Sequence, residues 1–365
     1  MPDARAYLDW NASAPLRPEA RAAMIEALDA VGNPSSVHAE GRAARAIVER
    51  ARERVAMLCM ARPEEVIFTS GATEGASTVI GQGWDAVLRT PLEHDCVENA
   101  CLATGVAGEI ELDAFEVAEA PTRGLACVTA ACGETGRWTP YQVANDAARE
   151  AGWLTLTDAT QVVGRRWFNF SEEPATAEAD YAVMSSHKIG GPKGAGALLV
   201  RDGAPLAPLI HGGGQEARRR SGTLNVAAIA GFGAAAVEAA AQDWTPVETL
   251  RDAMEAALLD AAPDLIVAAG DEQRLPNTSC LIVPGWRGET QVMQLDLAGF
   301  AVSAGSACSS GKVGPSRVLK ASGHGDEAAA SAIRVSLGPT TTEGEVSRFI
   351  DAWTSLYRKR QRRAA

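Results

Sequence analysis

Tyr181-Ala-Val-Met-Ser-Ser-His-Lys-Ile-Gly-Gly-Pro-Lys-Gly-Ala-Gly-Ala-Leu-Leu-Val200 holds two short apolar runs on either side of a glycine-rich turn. Tyr181–Met184 and Ala197–Val200 have the length and composition of buried strands, and continuous apolar runs of this kind suit a sheet covered on both faces. The turn between them puts Lys188 at a strand end. An ammonium on the rim of a buried sheet loses hydration, which favours the neutral amine that condenses with a carbonyl cofactor. A lysine in such a turn is by itself an ordinary solvated residue. The reading therefore depends on what the sequence places at other strand ends.

Glu65-Val-Ile-Phe-Thr69 reads as a short buried strand, and Ser70-Gly71-Ala72-Thr73-Glu74 turns it into a helix. The first amides of that helix, from Ala72, and the Thr73 hydroxyl suit a phosphate group. Trp153-Leu-Thr-Leu-Thr157 is a second strand, leading into Asp158, with Gln161 three residues on. A carboxylate there can pair with a protonated pyridine nitrogen while Gln161 bonds a ring oxygen; Asp158 is equally suited to capping a helix. Val87-Leu-Arg-Thr90 is a third strand and leads to His94, whose imidazole can stack on a ring and carry protons or serve only as a hydrogen-bonded structural group.

Strand and helix signals alternate from about Ala14 to Asp243, which predicts a parallel sheet with helices on both faces. At 365 residues the chain exceeds one hydrophobic core, so two domains are expected. The alanine-rich helix over Val226–Ala241 leads to the second, smaller domain. We place the large domain at residues 14–244 and the small one at 1–13 with 245–365.

Taken in order, these pieces resemble the cysteine desulfurases of the class V aminotransferase family. The matching stretches are Tyr7–Pro15, Gly32–His38, Phe68–Glu74, Glu93-His94, Asp158–Gln161, the lysine turn, His211–Gly214, Arg220–Thr223, Ser303–Cys308 and Ile333–Gly338. The resemblance implies a fold-type I α/β architecture: a large domain built on a mainly parallel seven-stranded sheet, and a smaller α/β domain carrying the Cys308 loop. The implied cofactor is pyridoxal 5'-phosphate. Lys188 becomes its Schiff-base lysine and the base for the substrate Cα proton, with Asp158 on the ring nitrogen, Gln161 on the ring oxygen and His94 stacked as acid and base. Ala72, Thr73, Ser185 and His187 hold the phosphate, Thr223 reaches the phosphate of a neighbouring subunit, and Arg334 and Asn33 contact the substrate. Composite sites in a homodimer follow.

The resemblance makes Cys308 the thiolate that removes sulfur from L-cysteine as a persulfide, leaving L-alanine, for a sulfur-acceptor protein serving iron–sulfur cluster, thio-cofactor or transfer-RNA chemistry. Its setting in Ala304-Gly-Ser-Ala-Cys-Ser-Ser-Gly311, without bulky apolar neighbours, fits a reactive thiol on a mobile loop. A transaminase or selenocysteine lyase of the same group, or a cofactor-binding scaffold with impaired turnover, remain alternatives. One departure stands out: relatives carry an asparagine pair where this chain reads Cys132-Gly133, so a ring-oxygen contact is absent.

Seven cysteines without a Cys-x-x-Cys pair argue against a structural zinc site or a disulfide framework, and no metal is expected. No apolar run has the length of a signal-peptide core or a membrane span, so a cytoplasmic protein is expected. A net charge of -12 disfavours nucleic acid. The basic run Arg358–Arg363 falls at the end of a helix, where positive charge suits the dipole, and reads as a solvated tail, with an acidic acceptor protein as the sharper alternative.

Overall fold

The computed structural model describes residues 5–110, 117–170, 179–305 and 314–364. Its strands are β1 (Ala6–Tyr7), β2 (Val66–Thr69), β3 (Ala86–Arg89), β4 (Ala107–Glu109), β5 (Gly124–Thr129), β6 (Leu154–Asp158), β7 (Tyr181–Ser185), β8 (Gly196–Val200), β9 (Ile266–Val267), β10 (Thr278–Ile282), β11 (Phe300–Ala301) and β12 (Ala332–Ser336). The helices are α1 (Pro18–Leu28), α2 (Ala39–Leu58), α3 (Ala72–Ile80), α4 (Asp95–Ala103), α5 (Tyr141–Glu150), α6 (Val226–Ala240), α7 (Thr245–Ala261), α8 (Gly288–Leu297), α9 (Arg317–Ala321), α10 (Asp326–Ala329) and α11 (Glu343–Ala364).

Two compact units emerge. The larger comprises Ala14–Ala131 and Thr139–Gln242; the smaller comprises Met1–Ser13, Cys132–Trp138 and Asp243–Ala365. The segment Cys132–Trp138, which sequence reading places in the large domain, groups with the smaller unit because its backbone bonds there: Trp138 N donates to Gln273 O and Leu275 N to Gly136 O, both at 2.8 Å. Gly136 makes this turn at φ +77°, with Thr278 so near that a Cβ would come within 2.8 Å of it.

The larger unit is built on a seven-stranded sheet of order β2-β8-β7-β6-β5-β3-β4. The pairs β4–β3, β3–β5, β5–β6 and β6–β7 are parallel, and β8 alone runs against its neighbours β7 and β2. Strands β5, β7 and β8 are buried at every position, as apolar strands covered on both faces should be. Ile67, Val79, Val87, Leu125, Leu156, Val183 and Leu198 fill the core between the sheet and α3 and α4. The alanine-rich α6 packs against both α1 and α2, and Gly233 permits the approach: a Cβ there would lie 2.6 Å from Ala51 Cα.

In the smaller unit, β10 pairs antiparallel with β12 and β9, while β1 pairs parallel with β11. Its core gathers Phe300, Phe349, Trp286, Trp353 and Tyr357, with the Trp353 and Tyr357 rings stacked at 5.5 Å. Alternation along β12 sends Ile333, Val335 and Leu337 into that core and Arg334 to the other face. The basic run Arg358–Arg363 forms the end of helix α11, where positive charge suits the helix dipole, and Arg360 donates to Pro284 O at 3.0 Å.

Candidate functional site

Parallel strands leave their functional groups at their C-terminal ends, where the chain turns into loops and helices. Register sets Thr129 beside Asp158 and Asp158 beside Val183, so the ends of β5, β6 and β7 lie side by side. Asp158, the last residue of β6, is 6% exposed. Its Oδ1 accepts the Thr160 amide at 2.9 Å, and its other oxygen makes no hydrogen bond among the described residues. Beyond it, Thr160 Oγ1 is buried without a partner among the described residues. Ser185 ends β7, and its Oγ accepts the Ala72 amide at 2.9 Å. That bond ties the start of α3 to the strand that leads to Lys188.

The approach of the turn before α3 depends on glycine at position 196. A Cβ on Gly196 would stand 2.5 Å from Gly71 Cα, so only a bare backbone lets the turn before α3 sit on the sheet. Helix α3 begins at Ala72 after Gly71, which offers no side chain of its own as a cap; Ser185 takes the Ala72 amide instead, and Thr73 on the first turn is exposed.

Lys188 closes a 3-10 turn over Ser186–Lys188 immediately after β7 and is half-buried. Arg165 holds this turn and Gln161 together: it donates to Lys188 O at 3.2 Å, to Gln161 O at 2.8 Å and to Gln161 Oε1 at 2.6 Å. The sequence reading missed Arg165, which follows Gln161 by four residues through the turns after β6. His94 caps α4, its Nδ1 accepting the Cys96 amide at 3.1 Å, so in the neutral ring the proton sits on Nε2.

His187 is pushed down to about 4 by burial and then by the positive charges of Lys188, Lys193 and Arg165. It is therefore neutral at physiological pH. An unfolded chain binds that proton near the ordinary 6.5. Between about 6.5 and about 4 the unfolded state binds more protons, so this group's contribution to stability falls as pH is lowered through that window. We expect cofactor-free protein to lose thermal stability across it, and His187→Asn to show a shallower loss. Parallel curves for the two proteins would refute the assignment.

Pyridoxal phosphate fits this set of groups. The charges of Lys188, Lys193 and Arg165 act on His187, the start of α3 bonds Ser185, and a buried carboxylate with one unbonded oxygen ends the neighbouring strand. A phosphate dianion and a pyridinium nitrogen are the charges these groups complement.

Thr223 is exposed and ends a loop that is tightly tethered at its base. Ser221 Oγ donates to Gly213 O, and Gly222 N to Gln215 Oε1. Arg220 pairs with Glu74 on the first turn of α3 at 2.8 Å. Glu216, Ala217 and Arg218 are all left-handed, with φ of 47°, 53° and 67°. Such a run costs roughly 1–3 kcal/mol per residue and persists only where surroundings impose it. Here the Glu216 carboxylate takes two bonds from Arg52, at 2.7 and 2.8 Å, and one from Phe68 N. Asn33 is exposed, accepts the Ser35 amide at 2.9 Å, and lines a groove with Gly214, Gln215 and Leu224.

In the smaller unit, Arg334 is 5% exposed and pairs with Asp9 at 2.7 Å. The backbone carbonyl of Gly133 accepts from its Nη1 at 3.0 Å and from Asn11 Nδ2 at 3.2 Å. Cys132 beside it is buried, and burial with the nearby Glu134 charge pushes its thiol up. Cys308 lies outside the described residues. No group of three or more metal-ligating side chains occurs among the described residues.

The class V aminotransferase family model matches residues 6–349. A cysteine desulfurase of Cereibacter sphaeroides is 38% identical over 368 residues, covering 95% of this chain and 94% of that protein. A cysteine desulfurase of Gluconacetobacter diazotrophicus is 35% identical over 377 residues, covering 97% and 93%. Among solved structures, a NifS-like protein from Rickettsia africae superposes with a TM-score of 0.87 at 28% identity, covering 97% of this chain and 99% of that one. Joined to a lysine turn and a carboxylate at the ends of adjacent parallel strands, these matches place the chain in the class V aminotransferase family.

Proposed function

We propose that this protein is a pyridoxal-phosphate-dependent cysteine desulfurase that converts L-cysteine to L-alanine and retains the sulfur as a persulfide on Cys308. What carries the reading is the pairing of Lys188, just beyond β7, with Asp158 at the end of β6, in a chain 38% identical to a cysteine desulfurase. When bound, the cofactor supplies an electron sink that stabilises negative charge at the substrate Cα.

The chain's own groups do the rest. Asp158 would hold the ring nitrogen, with its orientation fixed by the Thr160 amide. Gln161, held by Arg165, presents its amide to the ring oxygen. Ala72, Thr73, Ser185 and His187 bind the phosphate, His187 as a neutral ring. Lys188 Nζ carries the Cα proton, and His94 Nε2 stands as a second proton carrier. Arg334 grips the substrate carboxylate with Asn33 as a further polar contact, and Cys308 Sγ attacks the substrate sulfur. The balance is L-cysteine and a thiol giving L-alanine and a persulfide.

We further assign a homodimer in which Thr223 completes the neighbour's phosphate site. Support comes from the exposed apolar residues Leu28, Val31 and Val37, at 72%, 93% and 86% exposure, which a second copy could cover. A sulfur-acceptor protein and a cytoplasmic, reducing setting complete the reading; six free cysteines and no disulfide occur among the described residues. No helix among them is long and apolar enough to cross a membrane.

The experiment is product analysis of cofactor-loaded protein given L-cysteine and a thiol reductant. We expect alanine and sulfide in equal amounts without added keto acid. A requirement for a keto-acid acceptor would make the protein a transaminase, and cofactor binding without turnover would make it a scaffold.

A further inference from the structure

Arg334 carries a guanidinium that is 5% exposed, and a buried charge is tolerated only when it is paired. Its pairing comes from within the chain. Nη2 donates to Asp9 Oδ1 at 2.7 Å and Nη1 to the Gly133 carbonyl at 3.0 Å, while Nε is buried with no partner among the described residues. Nε and Nη2 share one edge of the fork, the edge that two carboxylate oxygens match, and Asp9 occupies only its Nη2 end.

Asp9 is itself held. Its Oδ2 accepts the Ser303 hydroxyl at 2.7 Å. Its backbone bridges to Ser336 on β12, and Ser303 exchanges backbone bonds with Arg334 in both directions. These bonds hold the Asp9 carboxylate on Nη2, with one oxygen on Arg334 and the other on Ser303. It satisfies one half of the charge and leaves the other.

We infer that Asp9 is a positioning residue that acts as a resident counter-charge: it keeps Arg334 paired and oriented without substrate, and sets the affinity for a carboxylate ligand by competing for the same cation. The inference rests on Arg334 being the substrate-carboxylate clamp proposed above. Two carboxylates on one guanidinium repel each other, so the site holds its ligand less tightly than an unpaired arginine would. The arrangement favours release of the product amino acid, which carries the same carboxylate as the substrate.

The test uses cofactor-loaded, full-length protein and two ligands: L-alanine, the product, and ethylamine, which keeps the amine and lacks the carboxylate. Asp9→Asn retains shape and hydrogen bonding and removes the charge. We expect L-alanine to bind roughly fivefold tighter by calorimetry, KM for cysteine to fall in step, ethylamine binding to stay unchanged, and unliganded thermal stability to drop. Asp9→Glu, which keeps the charge, should return alanine affinity toward that of the parent. Ser303→Ala is the milder second variant: freeing Oδ2 lets Asp9 engage Arg334 more fully, so alanine should bind more weakly.

Unchanged or weaker alanine binding in Asp9→Asn, with a lower melting temperature, would make Asp9 a structural residue only and overturn the inference. Tighter alanine binding in Ser303→Ala would do the same where Asp9→Asn does not fold. Arg334→Gln separates the two levels. If it leaves alanine affinity untouched, the clamp itself is wrong; if it weakens alanine while Asp9→Asn fails to tighten it, only the counter-charge role is overturned.

Discussion

Lys188→Ala is expected to abolish covalent cofactor attachment and to lower turnover by ~10³-fold or more, since it removes both the attachment amine and a positioned proton carrier. No nearby amine replaces it. Lys193 lies five residues on in the same turn and is exposed, whereas Lys188 is half-buried beside the strand that carries Ser185. The fold should survive, because the contact this turn makes with Arg165 is through the Lys188 backbone carbonyl, which alanine retains. Borohydride reduction followed by peptide mass spectrometry checks the assignment. The parent protein should carry the cofactor mass on the Lys188 peptide and the variant should carry none. A reducible adduct persisting in the variant, on Lys193 or elsewhere, would remove Lys188 from the centre of the mechanism.

The sheet was legible because its strands are apolar and its functional groups sit where strands end. The reading of Glu65–Thr69 as a strand matches β2 at Val66–Thr69, and Trp153–Thr157 followed by Asp158 matches β6 at Leu154–Asp158. Period and burial act locally there, so a single sequence carries the signal. The pairings that orient the site are another matter. Asp9 and Arg334 are separated by 325 positions, and Arg52 and Glu216 by 164; nothing local to either residue announces its partner. The left-handed run Glu216-Ala217-Arg218 contains no glycine, so the usual signal for that conformation is missing. It is imposed by a distant arginine. Arg165, four residues from Gln161, meets that side chain through the hydrogen-bonded turns that follow β6.

That distinction bears on the departure at Cys132-Gly133. The backbone of the turn nevertheless keeps a role: the Gly133 carbonyl accepts from both Arg334 and Asn11. A main-chain carbonyl makes that bond whatever the side chain, which is how a turn can diverge in sequence and still orient the arginine.

Cys308→Ser is expected to stop desulfuration while leaving the earlier steps intact, because it conserves size and removes the nucleophilic sulfur. Lys188, Asp158 and Arg334 are untouched in this variant. Addition of cysteine should still change the cofactor absorbance, and alanine formation should fall by ~10³-fold or more. In the parent protein, mass spectrometry should find one added sulfur on the peptide containing Cys308. The competing thiols differ in a way that makes the test sharp. Cys132 is buried, with its thiol pushed up by burial and by Glu134, and Cys59 is pushed up to about 12, so both stay protonated at neutral pH. Cys101, Cys127 and Cys280 are buried as well, and Cys96, two residues from His94, is the one half-buried cysteine among the described residues. Cys96→Ser is therefore the control, and it should retain full activity. A persulfide mapped to Cys96, or alanine released by Cys308→Ser at the parent rate, would transfer the nucleophile's role away from Cys308 and end the proposed mechanism.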